Sequence, residues 1–175
     1  YLASSIEGMK SGRWTEIQVA ETFDFCQTLD AADVDNDGDL DILAAKFRRN
    51  PAEGSQFTNE PPYPIVVYYN TDGSARSWKE HHVADDGMYA GALADLGSNG
   101  SMDIVGPQSY FEGPTKMYTS RTASSKLSLD KWTYIQVDDS RDNYVIPGAA
   151  GWWNYFGVDM YDINQDGYVD IATGV

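Results

Sequence analysis

The chain has 175 residues, of which 42% are hydrophobic and 13% aromatic, and its formal net charge is −15. This composition excludes a disordered chain and supplies enough apolar side chains for an ordinary domain core. The negative charge argues against nucleic acid and anionic membrane surfaces as partners, because both attract basic proteins. No apolar run is long enough to insert into and span a bilayer.

The chain starts at Tyr1 rather than at methionine and shows no signal-peptide pattern, so we expect a processed product or a piece of a longer protein. The segment YLASSIEG at 1–8 predicts the third strand of a four-stranded unit, and WTEIQV at 14–19 predicts the fourth. A lone cysteine, Cys26, excludes an internal disulfide and a cysteine-based zinc site. Because Cys26 lies in the apolar run FDFCQTL, we expect a buried structural thiol.

The next segment, DVDNDGDLD at 33–41 (loop one), carries five aspartates and one glycine in nine residues. Calcium takes about six to eight oxygen ligands, and alternate residues of a tight loop turn their side chains inward around the ion. An EF-hand would need a glutamate at position twelve, which is Ala44 here, and a helix on each side. We therefore predict a calcium loop within a β-hairpin, turning at Gly38. Its predicted ligands are the carboxylates of Asp33, Asp35, Asp37 and Asp41 and the backbone carbonyl of Asp39.

Two later segments repeat this loop: DLGSNGSMD at 95–103 (loop two) and DINQDGYVD at 162–170 (loop three). The three loops hold five, two and three of the 27 acidic residues, so the acidity is concentrated in them rather than spread over the surface. Loop three keeps the pattern, and its predicted ligands are Asp162, Asn164, Asp166, the carbonyl of Tyr168, and Asp170. Loop two is degenerate because Gly97 replaces the third-position carboxylate. We expect weak or absent calcium binding there, with Asp95, Asn99, Ser101 and Asp103 as the remaining candidates.

Each loop is followed by a short apolar run, and the first two also by PIVVYYN or TKMYTSR and a tryptophan-led segment, WKEHHV or WTYIQV. These segments are rich in β-branched and aromatic residues, which predicts an all-β chain with about four strands per repeat. Four-stranded units are typical of β-propeller blades, of which about four to eight close a ring. We expect half a blade at 1–20, blades at 21–84 and 85–138, and half a blade at 139–175. About three blade equivalents are thus present, and the remaining blades would come from the same longer chain or from other copies.

The triple D-x-[DN]-x-[DN]-G-x-x-D pattern, followed each time by an apolar strand, resembles the FG-GAP/VCBS repeats. Such repeats occur in the integrin α-subunit propeller, in fungal lectin propellers and beside some polysaccharide lyases and sugar dehydratases. The segment VVYYNTDGSARSWKEHHV at 66–83 resembles the second half of such a repeat. The resemblance implies a propeller whose calcium loops lie in hairpins at one end of the blades.

Few residues outside the loops suggest chemistry. His81 and His82 are neighbours on a predicted strand and should point to opposite faces, so we expect structural roles for both. Asp85 and Asp86 follow a tryptophan-led strand and are predicted to be turn residues. No serine or cysteine lies in a nucleophile motif, and the sequence has no phosphate-binding glycine loop. We predict no catalytic residue in the chain, although an active site could form from segments beyond it.

Residues 141–157, RDNYVIPGAAGWWNYFG, break the repeat period and indicate an insertion rich in glycine and aromatics. Insertions between blade strands lie at the faces of a ring, where exposed tryptophan and tyrosine can stack on sugar rings. The alternative is that these aromatics pack between blades. The candidate ligand-binding residues are Trp152, Trp153, Tyr155 and Phe156, with Tyr110 and Phe111 as a weaker pair.

Together these patterns favour a calcium-stabilised β-propeller segment of a secreted or cell-surface protein, since extracellular modules work at millimolar calcium. The leading hypothesis is carbohydrate recognition or adhesion, with a glycan or an extracellular protein as partner. Two alternatives stay open. One is the propeller part of a lyase- or dehydratase-type enzyme acting on polysaccharides or sugars, with catalytic residues elsewhere. The other is a structural scaffold completed by other chains.

Overall fold

The computed structural model describes residues 5–47, 61–109, 113–120, 132–138 and 157–174. Within these ranges one short helix precedes ten strands, and each acidic loop joins the first strand of a repeat to the second. The elements are α1 (Ile6–Lys10), β1 (Cys26–Ala32), β2 (Asp41–Lys46), β3 (Ile65–Asn70), β4 (Trp78–Ala84), β5 (Ala92–Ala94), β6 (Asp103–Pro107), β7 (Thr115–Thr119), β8 (Thr133–Asp138), β9 (Gly157–Tyr161) and β10 (Asp170–Gly174).

The strands form two antiparallel four-stranded sheets and one hairpin. β1 to β4 pair in sequence order as sheet one, and β5 to β8 pair in sequence order as sheet two. β9 and β10 form the antiparallel β9–β10 hairpin. The prediction of an all-β chain with four-stranded antiparallel units is confirmed in both sheets.

The central strands of sheet one are covered on both faces. Every residue of β3, IVVYYN, is buried, and β2, DILAAK, is buried except at Ile42. β-branched and aromatic side chains suit such a position because they pack well on a pleated surface. The outer strand β4 has only exposed and half-buried residues, as expected at the edge of a sheet.

The main hydrophobic core lies between sheet one and sheet two. Each fully buried aliphatic side chain in it contributes about 1.5–3 kcal/mol relative to an exposed one. Alternate residues of β2 and β3 face the other way, where Ala44, Val66 and Tyr68 pack against the segment 19–23. The buried residues of the main core are Val34, Leu43, Ala45, Ile65, Val67, Tyr69, Met88, Ile104 and Tyr118.

The first strands of the three repeats lie beside one another, because β1 contacts β5 and β5 contacts β9. Polar side chains of β1 help to join the two sheets. Thr28 Oγ1 donates to the Met88 carbonyl at 3.2 Å and accepts the Gly91 N–H at 2.9 Å, and Asp30 Oδ2 accepts the Leu93 N–H at 2.8 Å. The loops that follow these strands are therefore close together.

The N-terminal part of the described chain differs from the prediction. Ile6–Lys10 is helical where a strand was expected, and 14–19 forms no strand in the portion of the chain described here. Ser5 caps the helix, since its Oγ accepts the Gly8 N–H at 3.0 Å. The cap satisfies one of the amides that the first turn of a helix leaves unpaired. Among the described residues no helix is long and apolar enough to cross a membrane.

The prediction that Cys26 is buried is wrong. Cys26 is the first residue of β1, an edge strand of sheet one, and it is exposed. Its Sγ donates to the Thr28 carbonyl at 3.1 Å, and partial burial of the sulfur raises the pKa of the thiol. The surrounding apolar letters suggested a core position, but an edge strand leaves one side uncovered.

Candidate metal centre

Loop one connects β1 to β2, and the register of the two strands sets Ala32 opposite Asp41. The backbone reverses at two residues with positive φ, Asn36 at 61° and Gly38 at 98°. Asparagine tolerates this left-handed region, and glycine adopts it without steric cost. The sequence NDG therefore supplies suitable residues at both reversal points.

The carboxylate of Asp33 closes the turn. Its Oδ1 accepts the Asp37 N–H at 3.1 Å, and its Oδ2 accepts the Gly38 N–H at 3.1 Å. Asp35 Oδ1 accepts the same Asp37 N–H at 3.2 Å, and Asp37 Oδ1 accepts the Asp39 N–H at 3.1 Å. Backbone amides thus hold the first three carboxylates in fixed positions.

Asp41, the ninth-position aspartate, is buried and anchors the loop to sheet one. Its Oδ2 accepts the Val34 N–H at 2.8 Å, and its Oδ1 accepts the Asn70 N–H at 2.9 Å. Burial raises the pKa of Asp41 although these backbone amides oppose the shift. The fixed ninth-position aspartate therefore has a structural role in addition to its predicted role as a ligand.

Three carboxylates of loop one converge. One oxygen each from Asp33, Asp35 and Asp37 lie within 4.8 Å of one another. Burial, reinforced by the charges of Asp41 and Asp37, raises the pKa of Asp35 to about 6. Oxygens spaced in this way can share a calcium ion, whose oxygen ligands lie at about 2.3–2.6 Å. The donors are all oxygen, which suits a hard cation rather than a soft one.

Asp39 and Asn70 extend the site toward sheet one. Desolvation, and then the charges of Asp37 and Asp33, raise the pKa of the Asp39 carboxyl, and a hydrogen bond with the Asn70 side chain opposes the shift. Asn70 is buried at the end of β3, where its Oδ1 accepts the Ala75 N–H at 3.1 Å. Sequence reasoning missed Asn70. The available signal was a polar residue ending an otherwise apolar strand.

Loop three repeats the hydrogen bonds of loop one. Asp162 accepts the Asp166 N–H at 3.0 Å and the Gly167 N–H at 2.9 Å. Asn164 Oδ1 accepts the Asp166 N–H at 2.9 Å, and Asp170 Oδ2 accepts the Ile163 N–H at 3.0 Å. Asp166 Oδ1 accepts the N–H of Tyr168, whose carbonyl is a predicted ligand, at 2.9 Å. The predicted ligands of loop three therefore lie in one closed turn. At position three the side chain is the amide of Asn164, where loop one has the carboxylate of Asp35.

Loop two keeps the turn but loses the third-position carboxylate. Asp95 Oδ1 accepts the Asn99 N–H at 2.8 Å, and Asn99 Oδ1 accepts the Ser101 N–H at 3.0 Å. Asp103 and Ser101 are buried. No side chain is present at Gly97 to supply an oxygen. The closed shape of the loop is therefore independent of the third-position ligand.

The structure assigns an unpredicted role to Asp86, which sequence analysis treated as a turn residue. Asp86 Oδ2 lies 2.8 Å from Nζ of Lys116, whose side chain is fully buried, and Oδ1 accepts the Tyr118 hydroxyl. We call Asp86, Lys116 and Tyr118 the inter-sheet cluster, because it joins the β4–β5 connection to β7. A lysine inside the short apolar strand TKMYT was the signal for a buried acidic partner.

The two histidines make separate contacts, as expected for neighbours on a strand. The His81 ring packs against Tyr69 with the ring centroids 6.1 Å apart, whereas His82 Nε2 lies 2.8 Å from Asp85 Oδ1 at the surface. These contacts agree with structural roles for both residues.

The predicted ligand-binding aromatics lie outside the described residues. This applies to Trp152, Trp153, Tyr155 and Phe156 and to the weaker pair Tyr110 and Phe111. Their assignment as candidates for sugar binding stays a prediction.

Comparisons with known proteins leave the family resemblance a prediction. No protein-family model, no curated protein and no solved structure matches the chain.

Proposed function

We propose that the chain is a calcium-binding segment of a β-propeller that serves as an extracellular recognition or adhesion module. Two features of the fold support the propeller. Four-stranded antiparallel sheets follow one another along the chain, and the first strands of successive repeats lie side by side. Consecutive blades around a common axis have this arrangement, with the acidic loops at one end.

The convergence of Asp33, Asp35 and Asp37 carries the calcium part of the proposal. Three carboxylates so close together repel one another, and a divalent cation removes that repulsion. Desolvation, and then the charges of Asp37 and Asp33, raise the pKa of the Asp39 carboxyl, and a cation in the loop would relieve that repulsion. Loop three offers the same turn with less charge, so we rank it second in affinity.

Calcium titration by calorimetry and thermal melting tests this proposal directly. We expect saturable binding in the millimolar range or tighter and a higher melting temperature in calcium than in chelator, because an ion that binds only the folded state stabilises it. Magnesium is the control, since its small octahedral shell fits such loops poorly. No binding heat and an unchanged melt in calcium would reject the calcium site.

Carbohydrate recognition is the proposed activity of the module, and it rests on the aromatic insertion at 141–157. Binding to a broad panel of glycans and polysaccharides, in calcium and then in chelator, tests it. We expect calcium-dependent binding that Trp153→Ala abolishes with little change in the melt. A folded, calcium-loaded protein that binds no glycan on the panel would contradict carbohydrate recognition.

A scaffold completed by further strands is the second candidate, and the β9–β10 hairpin favours it. Val34, at position two of loop one, is fully buried in the core between sheets one and two. Ile163, at the same position of loop three, is 65% exposed, and Tyr161, two residues earlier, is 67% exposed. Further strands, from the same longer chain or from other copies, would cover these side chains. The propeller part of a sugar-acting enzyme stays the third alternative, with catalytic residues elsewhere.

A further inference from the structure

The three acidic loops are hydrogen-bonded to one another in series. Asn36 Nδ2 of loop one donates to the Gly100 carbonyl of loop two at 2.6 Å. Ser98 Oγ of loop two donates to the Gly167 carbonyl of loop three at 2.7 Å. In both contacts a side chain at position four of one loop meets the glycine carbonyl at position six of the next.

The positions of donor and acceptor follow from the shape of the turn. Position four has positive φ in every loop, at 61° for Asn36, 46° for Ser98 and 62° for Gln165. Position six is a glycine with positive φ in every loop. Neither donor is a predicted cation ligand. The side chains of Asn36 and Ser98 are therefore available to bridge neighbouring loops.

We propose that the three loops open and close as a coupled unit, with loop two as the connecting element between loops one and three. Each loop is closed by its position-one aspartate, which accepts the amides at positions five and six. Closing one loop fixes its glycine carbonyl or its position-four donor, so the neighbouring loop loses less conformational freedom on closing. Loop two thus has a role that its missing carboxylate does not remove.

This coupling does not need a cation, but it deepens the proposed function where calcium binds. An ion that closes loop one would favour closure of loop three through two hydrogen bonds. Both bonds are exposed, and each is expected to change the closing equilibrium of the next loop about two- to fivefold.

Amide hydrogen exchange in chelator tests the coupling without calcium. Asp33→Ala opens loop one by removing the acceptor of the Asp37 and Gly38 amides. We expect it to speed exchange of the Asn99 and Gly100 amides about two- to fivefold, and to do so much less when Asn36→Ala is also present. Ser74→Ala is the matched background control, because among the described residues its hydroxyl bonds within its own turn, to Asp72.

A second cycle starts from the other end, which keeps the test readable if Asp33→Ala fails to fold. Asp162→Ala opens the exposed loop three, and the Asn99 and Gly100 amides again report, now with and without Ser98→Ala. The coupling is overturned if amide exchange in loop two is unchanged in both cycles. It is also overturned if Asp33→Ala and Asp162→Ala accelerate that exchange equally when Asn36 or Ser98 has been replaced. If calcium leaves amide exchange unchanged at all three loops, the proposed calcium function is overturned, whereas the coupling is not.

Discussion

Two regions of this molecule hold buried or crowded carboxylates, and they balance the charge differently. In the inter-sheet cluster, Asp86 is paired with Lys116, whose side chain is fully buried, so the counter-charge is part of the chain. In loop one, Asp33, Asp35 and Asp37 converge, and no lysine or arginine of the described ranges forms an ion pair with them. The proposed calcium ion would supply their counter-charge from solution.

This difference separates two kinds of stability. A counter-charge fixed in the fold acts at any ion concentration, whereas a counter-charge from solution acts only when the ion is present. Substitutions in the cluster should therefore destabilise the protein equally in calcium and in chelator. Substitutions in loop one should have effects that depend on calcium.

The largest expected effect is that of Asp86→Ala. It removes the carboxylate that lies 2.8 Å from the buried ammonium of Lys116. Because the Asp86 side chain is 41% exposed, we expect a loss of about 2–3 kcal/mol, near the lower limit for a buried pair. Urea unfolding in calcium and in chelator should give the same loss. Asp85→Ala is the matched control, because its exposed contact with His82 contributes less than about 1 kcal/mol. A loss for Asp86→Ala no larger than that of the control would contradict the assigned role of the cluster.

Asp35→Ala, in contrast, should have an effect on stability that depends on calcium. In calcium about 100-fold above its dissociation constant, the ion adds about 2.7 kcal/mol, and the variant should lose much of it together with calcium affinity. In chelator the variant should be as stable as the wild type or slightly more stable. The reason is that burial and neighbouring charges already disfavour ionised Asp35 and raise its pKa to about 6.

Melting curves in both buffers, with calorimetry for affinity, measure this difference. Asp159→Ala is the control for loss of one negative charge, since Asp159 is exposed on β9 outside the loops. If Asp35→Ala melts at the wild-type temperature in calcium, the ion does not stabilise the protein through loop one.

Gly97→Asp should convert loop two from a connecting turn into a cation loop. The loop already has the required hydrogen bonds, and only the third-position carboxylate is missing. A Cβ at Gly97 would lie 2.5 Å from Nδ2 of Asn99, the end of an exposed, flexible side chain that can move. We expect one additional calcium per chain by calorimetry, with Gly97→Ala as the control. Equal stoichiometry for the two variants would show that the turn does not supply the remaining ligands.

The sequence predicted the closed turns of the three loops because their determinants are local, whereas calcium binding by these turns stays a prediction. Positions one, three, five, six and nine fall within nine residues, and the repeats show which positions matter. The strands were predictable for the same reason, through short apolar runs such as β3. Ile6–Lys10 was missed because the repeats assigned a strand to this segment, whereas its local signals are those of a helix, with Ser5 as the cap, Glu7 in the first turn and Lys10 in the last.

The inter-sheet cluster and the contacts between loops could not be predicted, because they join residues far apart in the chain. Asp86 meets Lys116 because the β4–β5 connection is bonded to the end of β6, where the Tyr89 N–H donates to the Pro107 carbonyl, and β6 pairs with β7. Asn36 meets Gly100 because β1 lies beside β5. No local pattern marks either partner for the other. The buried lysine indicated that an acid was needed, but not which one.

The smallest expected effect concerns Tyr118 and the dependence of stability on alkaline pH. Burial, and then the hydrogen bond to Asp86, raise the pKa of Tyr118 above its ordinary value of about 10. The folded state therefore keeps the phenol neutral at a pH where the unfolded chain releases its proton. Stability from neutral Tyr118 is complete below about pH 10 and declines as the pH rises further, because the unfolded chain then binds fewer protons.

Tyr118→Phe should therefore flatten the decline of unfolding free energy between about pH 9 and 11, measured by urea unfolding, whatever the calcium concentration. Tyr161→Phe, at an exposed tyrosine, is the matched control and should keep the wild-type slope. A wild-type slope for Tyr118→Phe would mean that Asp86 does not hold the phenol neutral. The cluster would then reduce to the ion pair with Lys116, and its contrast with loop one would depend on that pair alone.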